Sequence, residues 1–214
     1  TSDGTVSGTW TGSAGTRYTL VDDYPDNTGT DYLTHGTTAG YLTFGYPAFS
    51  IPAGSTGISV QVMYYDQKTA AQASAAAGQI VVGGTAYNAT THNPANGVWT
   101  ARSDNWATNP KSGVAWTTDD VNGVGANALS VFGFYSSDAS PTINFASVQI
   151  QVTYTLPVTT ITTGTDPGAG IIIAPGAGAQ DVDNFTLQTD AGTDTITSVT
   201  VNLSTNSGVG TLAI

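Results

Sequence analysis

Two segments of the chain alternate strictly between apolar and more polar residues. The first runs from Ile58 to Tyr65 as ISVQVMYY, and the second runs from Val148 to Thr155 as VQIQVTYT. Because successive side chains of a β-strand point to opposite faces of the sheet, this period of two predicts strands with one buried and one polar face. Further strands are predicted at residues 41–49, 79–82 and 128–135. Short strands joined by polar connections predict an antiparallel β-sandwich.

The composition leaves little material for helices. All 15 acidic residues are Asp, and Lys and Arg together number only 4, although Glu, Lys and Arg are among the better helix formers. Thr, Gly, Ser and Asn, which favour strands and turns, take their place. The run at 69–77, TAAQASAAA, is compatible with a helix, and a loop or a single turn fits it equally well. The fold class expected is therefore all-β.

The charge balance argues against two classes of partner. The formal net charge is -11, and the scattered basic residues form no cluster that would bind phosphates, so neither a nucleic acid nor an anionic membrane surface is an expected partner. The longest apolar run, at 171–174, is far shorter than the roughly 20 residues of a membrane helix. The absence of cysteine excludes disulfides and thiol chemistry.

The character of the sequence changes after residue 156. Residues 1–156 form the expected sandwich domain, whereas 157–180 are rich in Gly, Pro and Thr and contain no aromatic residue, which is typical of a linker or of a strand donated to another chain. Alternation returns at 181–214, but two or three strands are too few for an independent core. We expect this small, incomplete C-terminal β unit to be completed by another chain or by residues beyond Ile214.

Four segments in the first domain suggest a family. They are YTLVDDYPDNTGTDYL (18–33), IPAGSTGISVQVMYY (51–65), WTTDDVNG (116–123) and FGFYSSDASPTINFASVQIQVTYT (132–155). In this order they resemble a jelly-roll-like β-sandwich module of phage structural proteins and bacterial surface proteins, over about residues 10–156. The resemblance implies a fold and carries no catalytic residue. Separately, DNFTLQTDAGTDTITSVTVNLS (183–204) resembles the start of an Ig-like repeat of microbial surface proteins.

Acidic residues are densest in the stretch VDDYPDNTGTDYL. Calcium binds six to eight oxygen ligands from Asp, Asn and backbone carbonyls, and this stretch supplies such groups. The candidate ligands are Asp22, Asp23, Asp26, Asn27 and Asp31. Their spacing differs from an EF-hand loop, so a solvated turn is the competing interpretation.

No catalytic constellation emerges, and the protein is not expected to be an enzyme or to need a cofactor other than possible calcium. The Asp119-Asp120 pair lies where a capping or turn role before Asn122-Gly123 is expected. His35 and His92, the only histidines, lie in loop-like settings and are expected at the surface.

Three tryptophans offer an alternative function. Trp99, Trp106 and Trp116 lie among asparagines, and an exposed indole beside polar groups is suited to stacking on a sugar ring. Burial in the core is the competing interpretation. Asn88, Asn184 and Asn202 begin N-x-Ser/Thr motifs and are candidates for N-glycosylation.

The main hypothesis is a non-enzymatic structural subunit of an extracellular filament, a cell-surface layer or a virion appendage. Copies of the chain would assemble head-to-tail by β-strand complementation, the donor strand coming from residues 158–173, 196–214 or 5–10. The alternative is a carbohydrate-binding or adhesion module that recognises surface glycans.

Overall fold

The structure, a computed structural model, describes residues 2–11, 16–25, 31–36, 39–137, 142–165, 184–190, 193, 196–198 and 200. The chain divides into two compact units, Thr1–Pro157 and Val158–Ile214.

The described part of the first unit is built almost entirely from strands. In chain order they are β1 (Ser2–Ser7), β2 (Leu33–His35), β3 (Gly40–Gly45), β4 (Thr56–Lys68), β5 (Ala76–Val82), β6 (Thr85–Asn88), β7 (Thr100–Trp106), β8 (Leu129–Ser136) and β9 (Ile143–Thr155). A 3-10 turn spans Arg17–Leu20, and a one-turn helix, α1, spans Thr118–Val121.

These strands form two antiparallel sheets that pack face to face. The five-stranded sheet has the order β1-β3-β8-β5-β6, and the four-stranded sheet has the order β2-β9-β4-β7. Every described pairing between these strands is antiparallel. The predicted all-β antiparallel sandwich is confirmed.

The core lies between the two sheets. Phe134 of β8 and Phe145 of β9 stack across the interface with ring centroids 4.4 Å apart, and both rings are fully buried. On β4 the predicted alternation is confirmed, because Ile58, Val60, Val62 and Tyr64 are buried while the residues between them are half-buried. Burying one apolar side chain of this size contributes about 1.5–3 kcal/mol, so one face of β4 anchors the fold.

A β-bulge on β9 lies directly before the segment of predicted alternation at 148–155. Tyr64 pairs with Val148, but the next residue, Tyr65, pairs with Ala146, so Ser147 is an extra residue, at φ 46°. The bulge shifts the phase of the strand so that Phe145 points into the core together with Val148.

Two local predictions concern the loops. Thr117 caps α1 in a capping box in which its hydroxyl accepts from the Asp120 backbone N–H and the Asp120 carboxylate accepts from the Thr117 backbone N–H. The predicted capping role of the Asp119-Asp120 pair is therefore confirmed for Asp120. The run at 69–77 forms no helix; its last two residues begin β5.

The second unit contains a two-stranded antiparallel sheet within its described residues. It pairs β10 (Thr159–Thr163) with β11 (Phe185–Thr189), in a register that places Ile161 opposite Leu187. β10 falls within the segment predicted to be a linker or donor strand, and it pairs inside its own chain. The second apolar cluster of that segment, at 171–173, lies outside the described residues. In the described part of the chain, no helix is long and apolar enough to cross a membrane.

Candidate functional site

The outward side of the four-stranded sheet carries rows of amide side chains. Gln151 of β9, Gln61 of β4 and Asn105 of β7 lie opposite one another, so three amides form one line across three neighbouring strands. The next line along the sheet is Gln149, Met63 and Ser103. We call these six residues the amide face. Side chains at directly opposed positions of a sheet have Cβ atoms about 5 Å apart, so the three amides are close enough to contact one ligand together.

The amide face is polar but uncharged. None of the outward positions of β2, β4, β7 and β9 holds a charged residue. Gln149, Gln151, Ser103 and Asn105 are exposed, and Gln61 is half-buried. Within the described residues, none of the three amides in the first line forms a side-chain hydrogen bond. Since each amide group both donates and accepts, all are available to a ligand rich in hydroxyl groups.

An aromatic cluster borders the amide face. Tyr65 follows Met63 on the outward side of β4, between Ala101 and Ala146, and its ring packs against Tyr24 with centroids 6.1 Å apart. Tyr32, next to β2, packs on Trp99, next to β7, at 5.6 Å. β2 and β7 are the two edge strands, so this contact bridges the width of the sheet. All four rings keep part of their surface in solvent.

The inward side of the same strands is polar in a different way. The Asp66 side chain is fully buried, and its carboxylate accepts from Arg102 Nε at 3.0 Å and from His92 Nε2. Asp104 Oδ2 accepts from the Tyr64 hydroxyl at 2.9 Å and from the Gly78 backbone N–H at 2.5 Å. We call Tyr64, Asp66, His92, Arg102 and Asp104 the inner network. A buried charge is tolerated only when paired, and each carboxylate here has two donors.

Two tyrosines, the fully buried Tyr64 and the half-buried Tyr46, have shifted pKa values. Burial raises the pKa of the Tyr64 hydroxyl well above its usual value near 10, and the Asp104 carboxylate beside it raises that pKa further. Burial likewise raises the pKa of Tyr46, which donates to the Leu129 carbonyl at 3.1 Å. Both phenols are neutral structural groups at physiological pH.

The histidines differ from their prediction. His35 is fully buried in β2, with its ring 4.7 Å from that of Trp10, because the chain pairs here with β9 rather than forming a loop. The expectation of a surface histidine is wrong at this position. His92 is half-buried, and its side chain, 22% exposed, belongs to the inner network.

The three candidate tryptophans divide into two groups. Trp106 and Trp116 are 9% and 5% exposed, and Trp116 Nε1 donates to the Trp106 carbonyl at 2.8 Å, so neither ring is presented to a ligand. The predicted stacking role is wrong for these two residues, because both pack in the core. Trp106 lies at an inward position opposite Val60. Trp99 remains a candidate, since it is half-buried in the aromatic cluster.

The candidate calcium ligands are only partly described. Asp22 and Asp23 are exposed and Asp31 is half-buried, whereas Asp26 and Asn27 lie outside the described residues. In the ranges that the structure describes, no group of three or more carboxylate or imidazole side chains is placed to hold a metal ion. Calcium binding stays a prediction.

The candidate glycosylation sites fall in different parts of the chain. Asn88 ends β6 on the five-stranded sheet, and its amide oxygen accepts from Gln79 Nε2 at 2.6 Å. Asn184 in the second unit donates to the Thr165 carbonyl, and Asn202 lies outside the described residues.

A small cavity in the first unit is a poorer candidate than this surface. The cavity between the sheets that is lined by Phe44, Phe132 and Val148 has a volume of ≈ 70 Å³, well below the roughly 300 Å³ at which ligand pockets begin. The amide face is therefore the best candidate site in the first unit.

Comparison with known proteins returns distant structural likenesses. The chain is 11% identical to the CBM22-1 xylan-binding domain of a Paenibacillus barcinonensis protein, over 69% of this chain and 84% of that chain, with a TM-score of 0.41. It is 13% identical to the CBM22-2 xylan-binding domain of the same organism, over 62% and 84%, with a TM-score of 0.36. A third structure contains the CBM22-1 and GH10 modules of a Clostridium thermocellum xylanase with xylohexaose; there the identity is 10%, over 70% of this chain and 24% of that chain, with a TM-score of 0.38.

Sequence comparison adds no relative. No family model matches the chain, and no curated protein matches it. The resemblance to phage and surface-protein modules stays a prediction, and identities of 10–13% identify no ligand for this chain.

Proposed function

We propose that the first unit is a carbohydrate-binding β-sandwich module and that its binding site is the amide face with the adjoining aromatic cluster. The observation that carries the proposal is the line of Gln151, Gln61 and Asn105, three amides in register on an uncharged surface, without a side-chain hydrogen bond to any residue that the structure describes. This is the alternative function expected from the sequence, at a set of residues that shares only Trp99 with the predicted one.

The chemistry of the face matches a glycan. A sugar hydroxyl is both donor and acceptor, as is an amide, so each amide can form hydrogen bonds with neighbouring hydroxyls whatever their orientation. A row across three strands presents these groups at regular spacing, which suits a repeating polymer. A net hydrogen bond contributes about 0.5–1.5 kcal/mol, so several are needed for useful affinity.

The aromatic cluster supplies the apolar part of the contact. Tyr65 lies between two alanines, so its ring stands above its cross-strand neighbours. An aromatic face can cover the C–H side of a sugar ring while its polar edge stays in water. We propose that Tyr65 and Trp99 stack on the ligand and that the amides fix its position.

The proposal is tested by measuring binding to a panel of soluble polysaccharides, by affinity electrophoresis and by titration of tryptophan fluorescence. Trp99 is the one tryptophan of four outside the buried core, so a ligand on this surface is expected to change the emission. The double variant Gln61→Ala with Asn105→Ala should weaken binding about tenfold or more, since two hydrogen bonds are lost.

Gln188→Ala is the matched control, because Gln188 is an exposed amide on a strand of the second unit. It should bind as the unaltered protein does. Absence of binding across the panel, or equal binding by the double variant, would refute the proposal.

One observation favours a second candidate function, self-assembly through the second unit. Ile161, Leu187 and Phe185 lie on one face of the two-stranded sheet and are 67%, 36% and 42% exposed. An exposed apolar face on a two-stranded sheet is suited to packing against another chain. β1 and β10 are each paired on one side within their own chain, so strand exchange between copies stays a prediction. Light scattering of the full chain and of Ile161→Asp tests it; equal mass for both, at the monomer value, would contradict it.

A further inference from the structure

All four basic residues of the protein are engaged at places other than the amide face. Their partners are as follows: Arg17 with the Asp3 carboxylate and the Thr11 carbonyl; Lys68 with the Gln72 carbonyl and Asn93 Oδ1; Arg102 with Asp66; and Lys111 with the carbonyls of Gly83 and Ala126. The full sequence contains no other Lys or Arg. Every fixed positive side-chain charge of this chain therefore has a structural partner.

The two basic residues closest to the site point away from it. Lys68 is on β4 but is only 5% exposed, and its ammonium group donates to Asn93 Oδ1 at 2.7 Å. Arg102 lies opposite Tyr64 on the inward side of β7 and is committed to the buried Asp66. Turning Arg102 outward would remove a charged donor from the buried Asp66 carboxylate, and turning Lys68 outward would break its hydrogen bonds to Asn93 and Gln72.

Negative charge, in contrast, is adjacent in the sequence to two residues of the aromatic cluster. Asp22 and Asp23 directly precede Tyr24, and Asp31 directly precedes Tyr32, and both tyrosines belong to the aromatic cluster. The whole chain carries a net charge of -11. An anionic ligand on the amide face would meet repulsion at short and at long range, with no cation to offset it.

We infer that the amide face selects uncharged glycans and rejects glycans that carry carboxylate, sulfate or phosphate groups. This inference rests on the proposed function and names its ligand class. Selection arises from the absence of an available cation together with the aspartates at the border, whereas the amides themselves accept any hydroxyl. The specificity is therefore set by the uncharged residues of the amide face, where no lysine or arginine is present.

The test compares one polymer in two charge states. The neutral polysaccharide that binds best in the panel is measured before and after partial carboxymethylation, in salt of about 0.01 M and about 1 M, where the Debye length is about 30 Å and about 3 Å. At low salt the carboxymethylated polymer should bind at least about fivefold more weakly. At high salt the difference should shrink, because screening removes the long-range repulsion.

A charge placed on the face should reverse the preference. Gln151→Lys is expected to strengthen binding of the carboxymethylated polymer at low salt, whereas Gln188→Lys, with the same change in net charge but in the second unit, should leave it unchanged. Equal low-salt binding of the two polymers would overturn the inference and leave the proposed function intact. Binding of neither polymer would overturn the proposed function and this inference with it.

Discussion

The two sides of strand β4 use polar residues in opposite ways. On the inward side, Tyr64 and Asp66 are fully buried, and their polar side-chain atoms are satisfied by β7 and the loop before β7. On the outward side, Gln61 lies in a line of amides that have no hydrogen-bond partner among the described residues. A polar group that is satisfied within the protein stabilises the fold, and one that is left free in solvent is available to a ligand. Within one strand, the inward polar groups therefore stabilise the fold, and the outward ones are available to a ligand.

The largest effect on stability is expected from replacing the buried carboxylate of Asp66. Asp66→Asn keeps the shape but leaves Arg102 and His92 facing a neutral amide, so the unfolding free energy should fall by about 3 kcal/mol. This value is at the lower end of the roughly 3–5 kcal/mol lost when a buried ion pair is broken, since the Arg102 and His92 side chains are 25% and 22% exposed. Urea unfolding followed by tryptophan fluorescence measures it.

Asp23→Asn is the control for this variant, because Asp23 is exposed and a surface change should stay within about 0.5 kcal/mol. A loss below about 1 kcal/mol for Asp66→Asn would show that the inner network contributes little to the fold.

A smaller effect is expected at Tyr64. Tyr64→Phe removes one hydrogen bond to Asp104, whose oxygen keeps the Gly78 N–H, so the loss at neutral pH should be about 1.5 kcal/mol. Because burial raises the folded-state pKa of Tyr64 above its unfolded value of about 10, its contribution is complete below pH about 10 and is lost as pH rises further.

Thermal unfolding between neutral pH and pH about 11 should therefore show a fall in Tm that begins near pH 10. Tyr64→Phe should fall less steeply over the same range, and Tyr65→Phe, on the outward side of the same strand, is the control. Identical alkaline slopes for the unaltered protein and Tyr64→Phe would contradict the assignment.

The smallest effect on stability is expected on the amide face. Gln61→Ala with Asn105→Ala should change the unfolding free energy by no more than about 0.5 kcal/mol per site, because no partner is left unsatisfied. The same double variant should lose most of its glycan binding. A loss of stability as large as that of Asp66→Asn would place these amides in the fold rather than in a site.

Part of the fold is readable from local pattern. The alternation at 58–65 identifies the buried face of β4 correctly, and the turn chemistry around Asp120 identifies the cap of α1. The bulge at Ser147, just before the alternation at 148–155, cannot be predicted from that alternation, because it depends on how β9 pairs with β4. Periodicity is a pattern within one strand, whereas a bulge arises from the pairing of two strands.

The candidate site is harder to predict from the sequence than the fold is. The motif QIQ at 149–151 shows a polar face, but nothing in it indicates that Gln151 lies opposite Gln61, or that Gln61 lies opposite Asn105. Trp106 and Trp116 lie in the same asparagine-containing stretch as Trp99, so the sequence does not distinguish them. The pairing of β7 with β4 turns Trp106 inward. A lone histidine in DYLTHGTT gives no sign that it completes a buried strand beside β9.

The sequence by itself determined the all-β class, the two-faced character of β4, the absence of a cationic cluster and the lack of thiol chemistry. These follow from composition and from a period that each strand carries within itself. The tertiary structure alone decided which amides share a line, which tryptophans are buried and which carboxylates are paired. The reason is that strand order and register are set by backbone pairing between residues far apart in the chain, such as Gln61 and Gln151, and by the packing of one sheet on the other.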